Sequence, residues 1–252
     1  MAWKHWSFRI LGVTGMLVVW AGAASMLPDT VLPGPSAVLQ TIWRNLHQPE
    51  TFYHIGVTVR RVVVGMGLAL VGGTLIGVVM GISRVGEWVL DTWVLVGLTI
   101  PAVVYGIVSI LWFGLNDFAA FVAIGISAFP AIAINMWQGV KAIDLSLVHM
   151  GKAFRLCRRS LILKVVLPQT VPYLLAAVRY ALGISWKIAT VVELIGLSSG
   201  VGYMLHYWYG LFSMRQVLAW TLTFTGVLVL FEFMVLKPLD GWVTRWRPRV
   251  ST

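Results

Sequence analysis

Few residues in this 252-residue chain could do chemistry, and most of those sit in apolar surroundings. Gly196-Leu197-Ser198-Ser199-Gly200 fits G-x-S-x-G, the elbow that presents a nucleophilic serine in some hydrolases. That elbow needs a strand-to-helix turn and histidine and acidic partners. Here it follows a long apolar run, where Gly and Ser are ordinary loop residues, and a nearby His206 does not make a triad. There is no H-E-x-x-H, and the five histidines show no metal-ligand spacing. Nor is there a G-x4-G-K-[ST] loop to cradle nucleotide phosphates. The expectation is no catalytic residue, no metal and no cofactor held by this chain. The single Cys157 excludes an internal disulfide.

The other chemically capable groups are charges inside an apolar run. Arg179, Lys187 and, towards one end, Glu193 lie within residues 173–195. Charges at membrane depth are costly and usually meet a cavity or a partner. Arg179, Gly183 and Lys187 follow at i, i+4 and i+8, so a helix puts them on one face. Cationic groups lining a path would favour an anionic solute. The competing expectation is that Arg179 snorkels to the interface and Lys187 pairs with an acid.

Composition says what must position these groups. Hydrophobic residues make up 59% of the chain and charged residues 11%, against about 25% charged in a soluble domain. Lipid must then be the solvent for much of the surface. Six apolar runs approach span length: 8–27, 62–82, 89–113, 118–137, 173–195 and 217–236. The net charge of +10 is concentrated between alternate runs, as the positive-inside rule expects, without a nucleic-acid-binding motif. Lys4, Arg9, Arg84, the bases of 141–164, and Lys237, Arg245, Arg247 and Arg249 fall on one side, which places both termini in the cytoplasm. Arg60 and Arg61 are discordant on the outer side. An amphipathic lead-in of Phe52, Ile55 and Val59 could hold them at the headgroups. A cleaved signal peptide ending near Ala21–Ser25 is the rival account of the first run, and leaves five spans.

Gly73, Gly77 and Gly81 form two overlapping GxxxG units, suited either to packing within the bundle or to a dimer seam. Pro101 and Pro130 lie inside the third and fourth runs, where each removes a helical hydrogen bond. Bent helices beside a wet path are one consequence, and kinks in a packed bundle another.

Between the fourth and fifth runs, Ile143, Leu147, Met150, Phe154, Cys157 and Leu161 recur at steps of four and three, the pattern of an amphipathic helix. Asp144 is placed to cap its start, and Lys152, Arg155 and Arg159 take another face. Such a helix could lie on the inner leaflet or dock a cytoplasmic partner.

The residues that follow, Val165-Val166-Leu167-Pro168-Gln169-Thr170-Val171-Pro172-Tyr173, place an LP pair at the start of a span. Here the chain resembles the permease subunits of bacterial ABC importers, in which a cytoplasmic coupling helix with an E-A-A-x3-G pattern precedes L-P at fixed spacing. Leu32-Pro33-Gly34-Pro35-Ser36, Thr58-Val59-Arg60-Arg61-Val62, Ile100-Pro101, Trp112-Phe113-Gly114, Ser185-Trp186 through Glu193, and Gly200-Val201-Gly202-Tyr203 match its nitrate/sulfonate/taurine branch in order. Counting back from Leu167-Pro168 puts His149, Met150 and Gly151 where the family has E-A-A, and Arg155 at its glycine. The glycine permits a bend between two short helical pieces; Arg155 predicts a straighter helix.

The resemblance implies an all-α integral membrane fold of the type I importer kind, with six transmembrane helices and a coupling helix between the fourth and fifth. One permease domain then occupies residues 1–252, with a core at 55–236, a coupling segment at 141–164 and a basic tail at 237–252. Coupling falls to Ile143, Leu147, His149, Met150, Gly151, Phe154, Arg155, Arg158 and Leu161. The substrate pathway falls to Pro101, Pro130, Arg179, Lys187 and Glu193, and helix packing to Gly73, Gly77 and Gly81. ATP and Mg²⁺ would sit on a separate ATPase subunit. A second permease copy and an external solute-binding protein complete the expected partners, in a bacterial inner membrane. A transporter or channel working without ATP is the alternative, although no clear internal repeat supports it.

Overall fold

The computed structural model describes residues 2–238 and 241, with the side chains of 2–7, 9 and 10 left aside. The bases of the tail beyond residue 238, Arg245, Arg247 and Arg249, lie outside the described residues, as do the side chains of Lys4 and Arg9. The described residues are helical with short connections and contain no strand. The helices are α1 Ala2–Met26, α2 Pro35–Leu46, α3 Pro49–Ile82, α4 Arg84–Thr99, α5 Ala102–Phe113 and α6 Asp117–Lys141. They continue as α7 Leu145–Ala153, α8 Arg158–Leu161, α9 Leu167–Gly196, α10 Val201–Gly210 and α11 Met214–Phe231.

Four stretches are long and apolar enough to cross a membrane: Pro49–Ile82, Asp117–Lys141, Arg158–Gly196 and Met214–Leu236. The expected third span is instead a broken pair, α4 and α5, bent by 98°. The break falls at Ile100–Pro101, because proline has no N–H to give to the carbonyl four residues back. That carbonyl belongs to Gly97, and the Tyr105 hydroxyl donates to it at 2.6 Å. The elbow therefore satisfies its own freed acceptor. The expected first span falls on α1, Ala2–Met26, whose described apolar part is Leu11–Met26. By length and composition the described residues supply four crossings, or five with the bent pair, besides α1.

Helix α6 is the axis of the bundle. Ala119, Ala120, Ala123, Ile124, Ala128, Ile132 and Ala133 are all fully buried along it. Lipid tails are as apolar as these side chains, so close van der Waals packing must hold the helices together. The glycines of α3 permit it. A Cβ on Gly73 would lie 2.7 Å from the Ile132 Cβ, one on Gly77 2.4 Å from the Ala133 carbonyl, and one on Gly81 2.5 Å from Val140. The GxxxG face is thus spent inside the chain, and Gly65 against Ile124 extends it by two turns. It is not open for a dimer seam. Gly77→Ala should cost about 1–3 kcal/mol through overpacking, outweighing the roughly 1 kcal/mol that alanine gains over glycine in a helix. A lower apparent melting temperature in detergent, without loss of helicity, is the expected measurement.

On the other side of α6, α9 packs through Ala177, Ala181, Ile188 and Ala189, and Trp186 meets the Phe224 ring of α11 edge-on at 5.4 Å. Pro130 does not break α6, which runs unbroken from Asp117 to Lys141. Its ring lies where a Gly97 Cβ would be 2.9 Å away, so α4 crosses α6 on this proline.

Candidate coupling segment and translocation face

The segment between α6 and α9 is assembled from two short helices. Asp144 caps α7, its carboxylate accepting from the Ser146 backbone N–H at 2.8 Å and the Ser146 hydroxyl at 2.6 Å. These bonds from Ser146 hold the Asp144 carboxyl below its usual range. Helix α7 ends at Ala153, and α8 resumes at Arg158. The chain turns between them at Arg155, whose φ is 54°. The straighter helix expected through Arg155 is therefore corrected. The bend is kept, with arginine in the left-handed conformation that glycine adopts without penalty.

Gly151 makes that bend compact. It is buried, and a Cβ there would approach Leu161 to 2.7 Å and Leu156 to 3.3 Å. Outward of it, Leu147, Met150 and Phe154 are exposed, Phe154 by 75%, as are His149, Arg155 and Arg158. Ile143 and Leu161 are half-buried. The amphipathic stripe thus splits into an inward part that closes the hairpin and an outward apolar part rimmed by bases. A left-handed conformation costs a non-glycine residue about 1–2 kcal/mol. Arg155→Gly should leave the fold as stable or slightly more so. Arg155→Val, β-branched and poorly tolerated there, should lower the melting temperature.

Helix α9 leaves one face uncovered. Ala176, Arg179, Tyr180, Gly183, Ile184 and Lys187 line a shallow concavity of about 500 Å³. A Cβ on Gly183 would meet nothing within 4 Å. Arg179 pairs with Glu232 beyond the end of α11 at 3.2 Å, so it has a protein partner in place of simple snorkelling. Lys187 is exposed, and among the described residues no acid pairs with it. The face expected from the i, i+4, i+8 spacing is present and open.

Glu193, also expected to line a path, is only 1% exposed and lies in a buried polar knot. Arg61 Nη1 donates to Glu193 Oε1 at 2.8 Å, and Arg61 Nε to Asp117 Oδ1 at 2.8 Å. The Thr58 hydroxyl lies 2.9 Å from both Glu193 oxygens, and the Gly202 N–H donates to Glu193 Oε2 at 2.9 Å. That N–H belongs to the first turn of α10, where the helix dipole favours a carboxylate. Arg60 pairs with the same Asp117 from the exposed side. The discordant arginines are therefore explained by acids on α6 and α9, and Arg61, at 3% exposure, does not snorkel.

The G-x-S-x-G run closes this knot. Arg61 donates to the Ser199 carbonyl at 2.6 Å and to its hydroxyl at 3.0 Å. Gly200 has φ of 110° and lies so close to Glu193 that a Cβ would stand 2.2 Å from its Cδ. Ser198 is exposed and, among the described residues, bonds to no histidine; His206 is exposed one helical turn into α10. The histidine at this corner is His54, whose Nδ1 accepts from the Gly200 N–H at 3.1 Å. The run is a glycine-bearing corner rather than a nucleophile elbow. Of the five pathway candidates, the structure brings Arg179 and Lys187 together. Pro101 lies exposed at the elbow, and Pro130 and Glu193 are inside the packing. Thr58, Arg61 and Asp117 were not expected in the site; the signals were the match of the Thr58–Val62 run and an arginine pair at the head of an apolar run.

A glycine-packed helical bundle, a broken helix, an open face bearing Arg179 and Lys187 and a short helical hairpin between two spans are the architecture of a multi-pass membrane protein. The pattern described as "Binding-protein-dependent transport system inner membrane component" matches residues 73–239. The chain belongs to that family: it is the permease component of a binding-protein-dependent, ABC-type importer, which works with an ATPase subunit and a binding protein. A permease assigned to aliphatic-sulfonate transport in Escherichia coli (strain K12) is 31% identical, over 80% of this chain and 78% of its own. The taurine transport permease of the same organism is 24% identical, over 94% and 88% of the two chains. The nitrate import permease of Synechococcus elongatus is 28% identical, over 75% and 71%. In fold, the chain is similar to one from the MetNI methionine ABC transporter solved in inward-facing conformations. The TM-score is 0.65 at 18% identity, covering 74% of this chain and 93% of that one.

Proposed function

We propose that this permease carries a small anion of the sulfonate, taurine or nitrate class, along a path enclosed between the α9 faces of two copies of the chain. Lys187 carries the proposal. A lysine without an acidic partner on an apolar helix is costly against lipid. It is accommodated where the face meets water, an anion and a second copy instead. The concavity around Gly183 has room for a small solute, and the relatives named for sulfonates, taurine and nitrate favour an anionic one.

In this reading the whole chain works as one transmembrane unit with its core at 55–236. Residues 143–163 dock the ATPase subunit, and ATP and Mg²⁺ stay on that subunit. Both termini and the tail from 237 to 252 share the cytoplasmic side with it. Closure of the ATPase dimer then biases the bundle between inward- and outward-facing states. Exposed Leu147, Met150 and Phe154 give the partner an apolar contact, and Arg158 a charged rim. Liposomes holding the chain with its ATPase subunit, supplied with binding protein and MgATP, should accumulate a labelled alkanesulfonate, taurine or nitrate. Uptake by the chain alone, independent of ATP, would sink the proposal.

A further inference from the structure

The two cytoplasmic helices must do more than receive a partner. Their displacement has to reach α9, which carries both the open cationic face and Glu193. Covalently the route is indirect. It passes through the bend at Arg155, then α8, then a π-helical turn at Ile162–Val166 before α9 begins. The turn widens just ahead of Leu167-Pro168, where the proline cannot donate to the preceding turn. A bent and widened connection transmits a push poorly.

Gln169 shortens the route. Its Oε1 accepts from the Asp144 backbone N–H at 2.8 Å, and its Nε2 donates to the Val165 carbonyl at 2.9 Å. One side chain on the first turn of α9 thereby joins the cap residue of α7, 25 positions earlier, to the π-helical turn. Asp144 is the same residue whose carboxylate holds the start of α7. Rigid-body motion of α7 therefore pulls directly on α9. Apolar contact of Gly151 with Leu161 resists compression of the hairpin but resists pulling less. The amide suits both roles, since it offers an acceptor and a donor at opposite corners.

We infer that Gln169 is the positioning residue that ties α7 to α9, so that movement of the docked helix is passed to the translocation face. This rests on residues 143–163 being the ATPase-docking segment. The test is backbone amide exchange of the complex with its ATPase subunit, with and without MgATP, in wild type, Gln169→Leu and Gln169→Glu. In wild type, MgATP should change exchange both in α7 and in the first turns of α9. In Gln169→Leu the subunit should still protect α7, while the response of α9 falls at least fivefold. Gln169→Glu keeps an acceptor for the Asp144 N–H and should keep most of that response. A full response of α9 in Gln169→Leu overturns the tether and leaves docking intact. Loss of α7 protection in the same variant also overturns it, since the residue would then merely hold the hairpin together. If wild-type α7 is not protected by the subunit, the docking proposal fails and the tether falls with it.

Discussion

Arg61→Met should destabilise the permease by about 3–5 kcal/mol, because it leaves Glu193 charged, buried and without its cation. The carboxylate would keep the Thr58 hydroxyl and the Gly202 N–H, which lessen the cost but do not neutralise a charge. Arg61 also holds the Ser199 carbonyl and hydroxyl, so the α9–α10 corner should loosen as well. The informative comparison is Arg61→Met with Glu193→Leu. Paired charges are expensive to desolvate, and replacing both partners with apolar residues is often near neutral. The double variant should therefore regain a large part of the stability lost in the single one. Thermal unfolding in detergent, followed by monodispersity, measures both. Equal losses in single and double variants would show that the knot acts through shape rather than charge.

Lys187→Ala should act on transport instead. Lys187 is exposed and, among the described residues, no acid is paired with it, so its removal strands no buried partner and should leave melting and co-purification with the ATPase subunit unchanged. Uptake should fall at least tenfold, because a lone cation facing a developing path supplies about 1.4 kcal/mol or more of anion attraction at low effective dielectric. Lys187→Arg should retain much of the rate, and Lys187→Glu should abolish it. Arg179→Ala is expected to differ in kind, since it leaves Glu232 without a guanidinium partner. Its transport defect should come with a lower melting temperature. Wild-type uptake kinetics in Lys187→Ala would remove this residue from the path.

Local patterns were legible in the sequence wherever one helix sufficed to express them. The steps of three and four from Leu147 to Phe154, the capping role of Asp144 and the shared face of Arg179, Gly183 and Lys187 all follow from helical geometry within a few turns, whereas the continuation of the stripe to Leu161 crosses the bend. The GxxxG run disclosed a packing face but not its mate, because Ile132 and Ala133 of α6 carry no mark of the glycines they receive. Two features went against local chemistry. Arginine is a poor indicator of a left-handed turn, so the bend at Arg155 was hidden by its side chain. Pro101 and Pro130 look alike in sequence, yet one ends a helix and the other is carried within one. Tertiary packing of α4 across Pro130 distinguishes them, and no window of sequence contains it.

The buried pair itself was hidden by distance, since Arg61 and Glu193 lie 132 positions apart. That separation also has a meaning in time. At roughly 5–20 residues per second, a ribosome needs about 7–26 s to make the acid after the arginine. Asp117 arrives much sooner, 56 positions after Arg61. The α6 acid would then hold the arginine while α9 is still unmade, and Glu193 would join as a second partner on completion. Asp117 would then be an assembly escort as well as a finished contact, and its loss would be felt first in membrane insertion.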